Sequence, residues 1–390
     1  MNFLHRFQRK KQQSPTAYSL VDVGRDTVKV AVVLMIPGNT EPQVVGYAQA
    51  ETGNRDITGG RLEAGAVLRP VNVALTQAED STEQFIGQKI VPDHAIFALA
   101  GRASVGRLFS VRQTRPNPGE PISVKELNNL RSRAERLVRE GLAESYFEGG
   151  QWQPLAVTDA GLRLDGYPVL DGVGLTGQEI SFSVFGVAGQ SGALRALEVL
   201  ANRLDLTLAN VVASPQALAS VVPHAEAIVL DVGFSGTDVC LIKGNALVAA
   251  DWTPFGGYFF TQSLARSMDI DPAIAETLKL DLSKKELSPE ESAHLETHLA
   301  PLRLRWYEAV LEVLKELSPH KPLPRHIFMA GGGSLLLDLD KILRTDPVPF
   351  DAAPEVVPLG DHGWPVKDLT GTLDYNFFAL TVSLVAGLPE

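Results

Sequence analysis

Three short glycine turns are where this sequence could do chemistry. The first lies in Leu20–Val33 (LVDVGRDTVKVAVV), the second in Ala227–Leu241 (AIVLDVGFSGTDVCL), the third in His326–Leu336 (HIFMAGGGSLL). Each follows an apolar, strand-like run. Glycine lets a backbone approach a phosphate closely, and the N–H groups of such a turn can donate to phosphate oxygens. Asp22 and Asp231 each stand just before a turn. A carboxylate beside phosphates can hold Mg²⁺, directly or through water, or orient an attacking water. A single Asp-x-Gly turn between strands is most often only a hairpin. Two near-repeats followed by Gly-Gly-Gly-Ser, in that order, point to a phosphate site.

Rival signatures are missing or out of context. There is no GxxxxGK[ST] loop, no HExxH and no GxSxG. The string GVGLTG at Gly172–Gly177 precedes a strand-like run and does not open a helix, the wrong setting for a dinucleotide turn. His294 and His298 are spaced i, i+4, but Leu295 stands where a zinc protease helix carries glutamate. They read as solvated surface. The single cysteine, Cys240, excludes an internal disulfide framework and a cysteine-rich zinc site, and a reducing setting is expected.

The elements that must position the turns follow from periodicity. Tyr18–Ile36 is valine-rich and reads as strand, turn at Gly24, strand, with Val44–Tyr47 as a third strand. Ala64–Glu79 places Val67, Val71 and Leu75 four apart and predicts a helix, weakened in its first turn by Pro70. Ala95–Ala100 reads as a strand and Gln113–Pro121 as a loop. Ser123 and Glu126 predict a capping box and a helix to about Arg139. Glu148–Asp171 reads as turns and short apolar runs, Ile180–Val187 as a strand, Leu194–Leu204 as a helix. Ala227–Leu241 repeats the opening strand–turn–strand. Helices follow at Phe259–Met268 and Glu291–Leu317; His326–Leu336 reads as strand, turn, helix start. The duplicated hairpin predicts two lobes with similar cores and a cleft between them.

Composition sets the limits. The 390 residues suggest two or three domains, and 45% apolar with 21% charged residues fits a packed globular chain. Forty-six acidic against thirty-five basic residues give a net charge of −11, which argues against nucleic acid as a partner. Val28–Ile36 and Phe377–Leu388 are apolar but too short to span a membrane, and read as core. The first residues, MNFLHRFQRKKQQ, carry Phe3, Leu4 and Phe7 among Arg6, Arg9, Lys10 and Lys11, a basic amphipathic pattern found in interfacial helices.

The order DVGRDTVKV, DVGFSGTD, GGG resembles the actin-like ATPase superfamily of actin, DnaK-type chaperones and sugar kinases. Within it, the chain is most similar to the bacterial cell-division FtsA family, from about Tyr18 to Leu388. VVGYAQA, IFALAGR with ISVKELNNL, GLTGQEI, TPFGGYFFTQSLA and AETLK each resemble a segment of that family. The resemblance implies an α/β, two-lobed actin-like ATPase fold, with duplicated ribonuclease-H-like cores and an inserted small α+β domain. Residues 1–17 would form the tail, 18–88 with 180–220 lobe I, 89–179 the insert, and 221–390 lobe II with a closing C-terminal helix.

Carried over by position, the resemblance implies ATP with Mg²⁺ between the lobes. Asp22, Gly24 and Lys29 fall in the first phosphate loop; Asp231, Gly233, Gly236 and Thr237 fall in the second. Glu276 and Lys279 would face ribose and adenine, and Gly331, Gly332, Gly333 and Ser334 the adenosine. Asp22 and Asp231 are the candidate catalytic and metal-holding residues, with Mg²⁺ held directly or through water. Arg25 and Asp26 occupy the first tip, where relatives carry small residues; Arg25 either contacts a phosphate or crowds the loop. Phe234 replaces a glycine, and Ser214 precedes Pro215 where hydrolysing chaperones have glutamate. These departures imply slow or absent hydrolysis.

The family resemblance implies a polymerising ATP-binding protein that links an FtsZ-like tubulin homologue to the inner face of the cell membrane at the division site. Head-to-tail self-association would make filaments. The usual C-terminal amphipathic anchor does not follow GLPE, which gives residues 1–13 the expected role of membrane contact. The alternative is a PilM-type cytoplasmic scaffold of type IV pilus assembly, a family that binds a short N-terminal peptide of a membrane partner. The DVG-x3-VKV spacing is nearer to that family, the GLTG turn and long first lobe to FtsA. A sugar kinase is the third reading, but no segment reads as a sugar site. A chaperone is less fitting still, since no peptide-binding domain follows Leu388.

Overall fold

The computed structural model describes residues 15–53, 62–144, 151–319, 322–334, 338–345, 350 and 352–389. In chain order the elements are β1 (Thr16–Val23), β2 (Thr27–Met35), β3 (Gln43–Glu51), α1 (Ala64–Ile86) and β4 (His94–Leu99). Then come β5 (Ser104–Thr114), α2 (Val124–Glu144), β6 (Trp152–Leu164), β7 (Tyr167–Val169), β8 (Glu179–Gln190) and α3 (Ser191–Arg203). Next are β9 (Thr207–Ala213), α4 (Ser214–Ser220), β10 (Glu226–Val232), β11 (Thr237–Lys243), β12 (Ala246–Thr253) and α5 (Gly257–Met268). The chain closes with α6 (Pro272–Lys284), α7 (Pro289–Leu317), β13 (His326–Ala330), α8 (Leu339–Thr345), β14 (Glu355–Pro358), β15 (Lys367–Asp368) and α9 (Ala379–Ser383).

Two sheets carry the fold, in the orders β15-β3-β2-β1-β4-β9 and β14-β13-β10-β11-β12-β5-β8-β6-β7. The duplication is visible in the pairing. β1 pairs antiparallel with β2 and parallel with β4; β10 pairs antiparallel with β11 and parallel with β13. The valine runs explain why. In β2, Val28, Val30 and Val32 pack on one face with Val67 and Val71 of α1, while Ala31 and Val33 pack on the other. In β10, Ile228, Leu230 and Val232 face Trp306 and Phe260, while Ala227 and Val229 join Ala31 and Val33. Strands buried on both faces read as continuous apolar runs, not as alternation. The inner faces of both hairpins thus share one core, closed by Ala217 and Leu218 of α4 and Ala379 and Val382 of α9.

The strands divide the chain differently from the sequence expectation. β4 sits between β1 and β9 in the first sheet, so residues 94–99 belong with lobe I and not with an insert starting at 89. β8 pairs with β5 and β6, so residues 179–190 belong with the insert, whose strands extend the second sheet through β12. Glu148–Asp171 holds a long strand, β6, instead of turns. β5, β9 and β12 also have no counterpart in the sequence reading. The expected capping box at α2 is half present. Glu126 N–H donates to Ser123 Oγ at 3.2 Å, but the Glu126 carboxylate turns to buried Arg115, at 2.8 Å. The closing helix is a five-residue α9 followed by a 3₁₀ turn, Leu384–Gly387. The basic segment 1–13 and the helix start at 335–336 lie outside the described residues. Among the described residues, no helix is long and apolar enough to cross a membrane.

Candidate functional site

The β1–β2 hairpin sets Asp22 directly opposite Lys29. Its turn is fixed by Thr52, whose N–H donates to the Asp26 carbonyl at 2.8 Å and whose Oγ1 donates to the Arg25 carbonyl. Arg25 Nη1 donates to Ser235 Oγ at 3.4 Å, joining the tips of the two hairpins.

The β10–β11 hairpin sets Asp231 opposite Asp238. Its turn rests on the start of α5. Gly257 N–H donates to the Gly233 carbonyl at 2.9 Å, and Tyr258 N–H to the Phe234 carbonyl at 2.8 Å. A side chain at position 256 would put its Cβ 2.5 Å from Gly233 O and Gly236 N, so the close approach requires Gly256. Two of the N–H groups that a helix start could offer to phosphate are therefore committed to the turn. Thr237 also faces inward. Its Oγ1 donates to the Phe255 carbonyl at 2.7 Å and accepts from Trp306 Nε1 at 3.0 Å.

The third turn closes against the second hairpin. Gly331 has φ +82°, and a Cβ there would meet Asp231 Oδ1 at 2.3 Å and Val232 O at 2.6 Å. Gly333 N–H donates to the Val232 carbonyl at 2.8 Å, and Gly331 N–H to the Asn376 carbonyl at 3.3 Å. Ser334 folds back, its Oγ donating to the Gly331 carbonyl at 2.7 Å.

Glu276 and Lys279 meet one turn apart on α6. Lys279 Nζ, 1% exposed at the side chain, lies 2.6 Å from Glu276 Oε2 and donates to Thr261 Oγ1 at 2.8 Å and to the Gly257 carbonyl at 3.2 Å. Thr261 Oγ1 also donates to Glu276. The pair thus clamps α6 onto the start of α5, beside the second turn.

The electrostatics centre on three carboxylates. Burial pushes Asp22 upward, with Lys29 opposing. Burial and the neighbouring Asp238 push Asp231 up to about 7. Burial pushes Asp238 up to about 6, against hydrogen bonds from Ser214 and Gly101. Those bonds are Ser214 Oγ donating at 2.5 Å and Gly101 N–H donating at 3.3 Å, both to Asp238 Oδ2. Asp238 therefore joins β11, α4 and the start of the insert. Sequence reasoning passed over it, although it ends the string DVGFSGTD and hairpin register alone pairs it with Asp231. Phe377 was missed too. Lys29 Nζ lies 4.0 Å above the centre of its ring.

The structure therefore gathers Asp22, Lys29, Asp231, Asp238, Arg25 and the three turns in one place. It gives Thr237, Glu276 and Lys279 internal partners. Among the described residues no three His, Cys, Asp or Glu side chains are arranged to hold a metal directly. The fit to a Mg²⁺–phosphate group rests on buried Asp22 and Asp238 with half-buried Asp231, whose charge a cation would offset, and on Lys29 opposite Asp22.

No protein-family model matches the chain, and no curated protein matches it by sequence. Solved structures do. A chain of the PilM–PilN type IV pilus biogenesis complex aligns over 96% of this chain and 99% of its own, at 18% identity and TM-score 0.60. This chain has the two-lobed actin-like fold. The ethanolamine utilization protein EutJ from Carboxydothermus hydrogenoformans aligns over 96% of this chain and 91% of its own, at 15% identity and TM-score 0.51. The diol dehydratase-reactivating factor, in nucleotide-free form, aligns over 95% and 99%, at 10% identity and TM-score 0.53. At these identities the likeness establishes the fold, as the glycine turns led us to expect, and leaves function to the site.

Proposed function

We propose that this protein binds ATP with Mg²⁺ in the cleft, turns it over slowly or not at all, and serves as an actin-like scaffold for a protein partner. The observation that carries this is the gathering of buried Asp22, buried Asp238 and half-buried Asp231 around Lys29 where the two hairpins meet. Mg²⁺ would supply charge neutralisation for the carboxylates and phosphates together. Lys29 would contact a phosphate. Ser214 supports slow turnover: a hydroxyl stands where hydrolysing relatives have a carboxylate, and it is committed to Asp238.

The partner reading follows the PilM-type scaffold first. The alignment to the pilus complex chain spans nearly the whole of both chains, and the spacing of the first turn favours the same family. The test is a pull-down with synthetic N-terminal peptides of pilus-type membrane partners and, in parallel, with FtsZ. Retention of the peptide and not of FtsZ is expected; retention of FtsZ alone would overturn the ordering. The FtsA-type reading, in which filaments join FtsZ to the membrane, is favoured by the basic apolar segment Met1–Gln13. It makes a separate demand: deleting Met1–Lys11 must abolish co-sedimentation with anionic liposomes. Unchanged sedimentation would sink direct membrane contact by this segment.

A further inference from the structure

We infer that Phe377 blocks the cleft from within: its ring covers Lys29 and must leave before a phosphate can reach that lysine. The inference rests on reading the cleft as a nucleotide site. Three interactions place the ring. Lys29 Nζ stands 4.0 Å over the ring centre, where a cation is held by the negative face of the π-system. The ring edge lies against Gly332, with Cε2 3.2 Å from where a Cβ would stand. The preceding residue, Asn376, accepts the Gly331 N–H on its carbonyl. One short segment thus covers the lysine of the first hairpin and engages two glycines of the third turn.

The backbone of this segment is held firmly. Asp374 Oδ1 accepts from Asn376 N–H at 2.9 Å and from Phe377 N–H at 3.1 Å. Asn376 Oδ1 accepts from Gly360 N–H at 2.7 Å. Phe378, the next residue, is buried in the shared core. Phe377 itself is only half-buried, at the edge of that core and edge-on to Phe378. A fixed backbone carrying a half-buried ring allows the ring to move by its side-chain torsions alone, leaving the fold intact. A phosphate is the stronger partner for an ammonium group, since charge-assisted hydrogen bonds exceed a cation–π interaction. Phosphate therefore displaces the ring, and breaking the cation–π pair lowers the affinity for nucleotide. A pair of this kind corresponds to roughly twofold to thirtyfold in an equilibrium constant.

The experiment is calorimetric titration of Mg-ATP into the full chain, comparing wild type with Phe377→Ala, Phe377→Leu and Lys29→Ala. Thermal melts of each variant run alongside. Phe377→Ala is expected to bind roughly tenfold tighter. Phe377→Leu keeps bulk without a π-face, and is expected to fall between wild type and alanine. If the alanine variant does not fold, the leucine variant carries the comparison, and any tightening there supports the inference. Wild-type affinity or weaker in the folded Phe377 variants, with weakening in Lys29→Ala, overturns the block and leaves the cleft reading standing. No binding by any of the four proteins, at millimolar ATP, overturns the cleft reading and the block with it.

Discussion

Asp231 faces Asp238 across one hairpin, with burial acting on both. The folded protein holds a proton on Asp231 up to about pH 7, while the unfolded chain releases it near the ordinary value of 3.8. Between those two values the folded state binds more protons. Stability of the ligand-free protein therefore falls as pH rises from about 4 to about 7, and levels off above. Asp231→Asn removes the buried charge. It is expected to raise stability by about 1–3 kcal/mol at pH 8 and by little at pH 5, read from urea unfolding at both values. Cation binding needs the ionised carboxylate, so Mg-ATP affinity is expected to increase from pH 6 to pH 8 in wild type. A flat profile would contradict that role for the pair.

At the scale of elements, the sequence revealed the parts that build the cleft better than the parts that hang from it. β1, β2, β10 and β11 are buried on both faces, so their valine and isoleucine runs stood out. β5 and β6 are largely exposed and interleave Arg, Gln, Asp and Thr with their apolar residues. Their strand character comes from the long pairing with β8, which is a tertiary fact. The glycine turns were legible as turns, but where their N–H groups point was not. Gly257, Tyr258 and Gly333 donate to protein carbonyls because the second hairpin packs against both α5 and the third turn. Glu276 and Lys279 were legible as a motif, but their partner is α5. Removing the ammonium leaves Glu276, 12% exposed at its side chain, without its counter-charge. Lys279→Met is expected to destabilise the protein by about 3 kcal/mol in chemical denaturation. A change below about 0.5 kcal/mol would mean that the clamp contributes little.

Across the whole molecule, the two lobes share a core and a small set of polar ties. Arg25 reaches Ser235, and Asp238 receives donors from α4 and from the start of the insert. A cation held as proposed at Asp231 would stand beside Asp238, the carboxylate that bridges β11, α4 and the start of the insert. On the proposed cation binding, cleft occupancy would reach the insert through the hydrogen bonds of Asp238. Ser214→Ala removes one donor from that buried carboxylate. It is expected to lower stability by about 1–2 kcal/mol. Backbone hydrogen exchange is expected to rise together in 101–106 and 214–220, segments far apart in sequence. A rise confined to 214–220 would break the proposed link.

The central claim is that the cleft between the hairpins is a Mg²⁺–phosphate site. Its most direct test is equilibrium titration of Mg-ATP at pH 7.5 into wild type, Lys29→Ala and Asp231→Asn. Micromolar binding by wild type, weakened at least about tenfold in each variant, is the predicted result. No binding by wild type, or the same affinity in all three proteins, would contradict it.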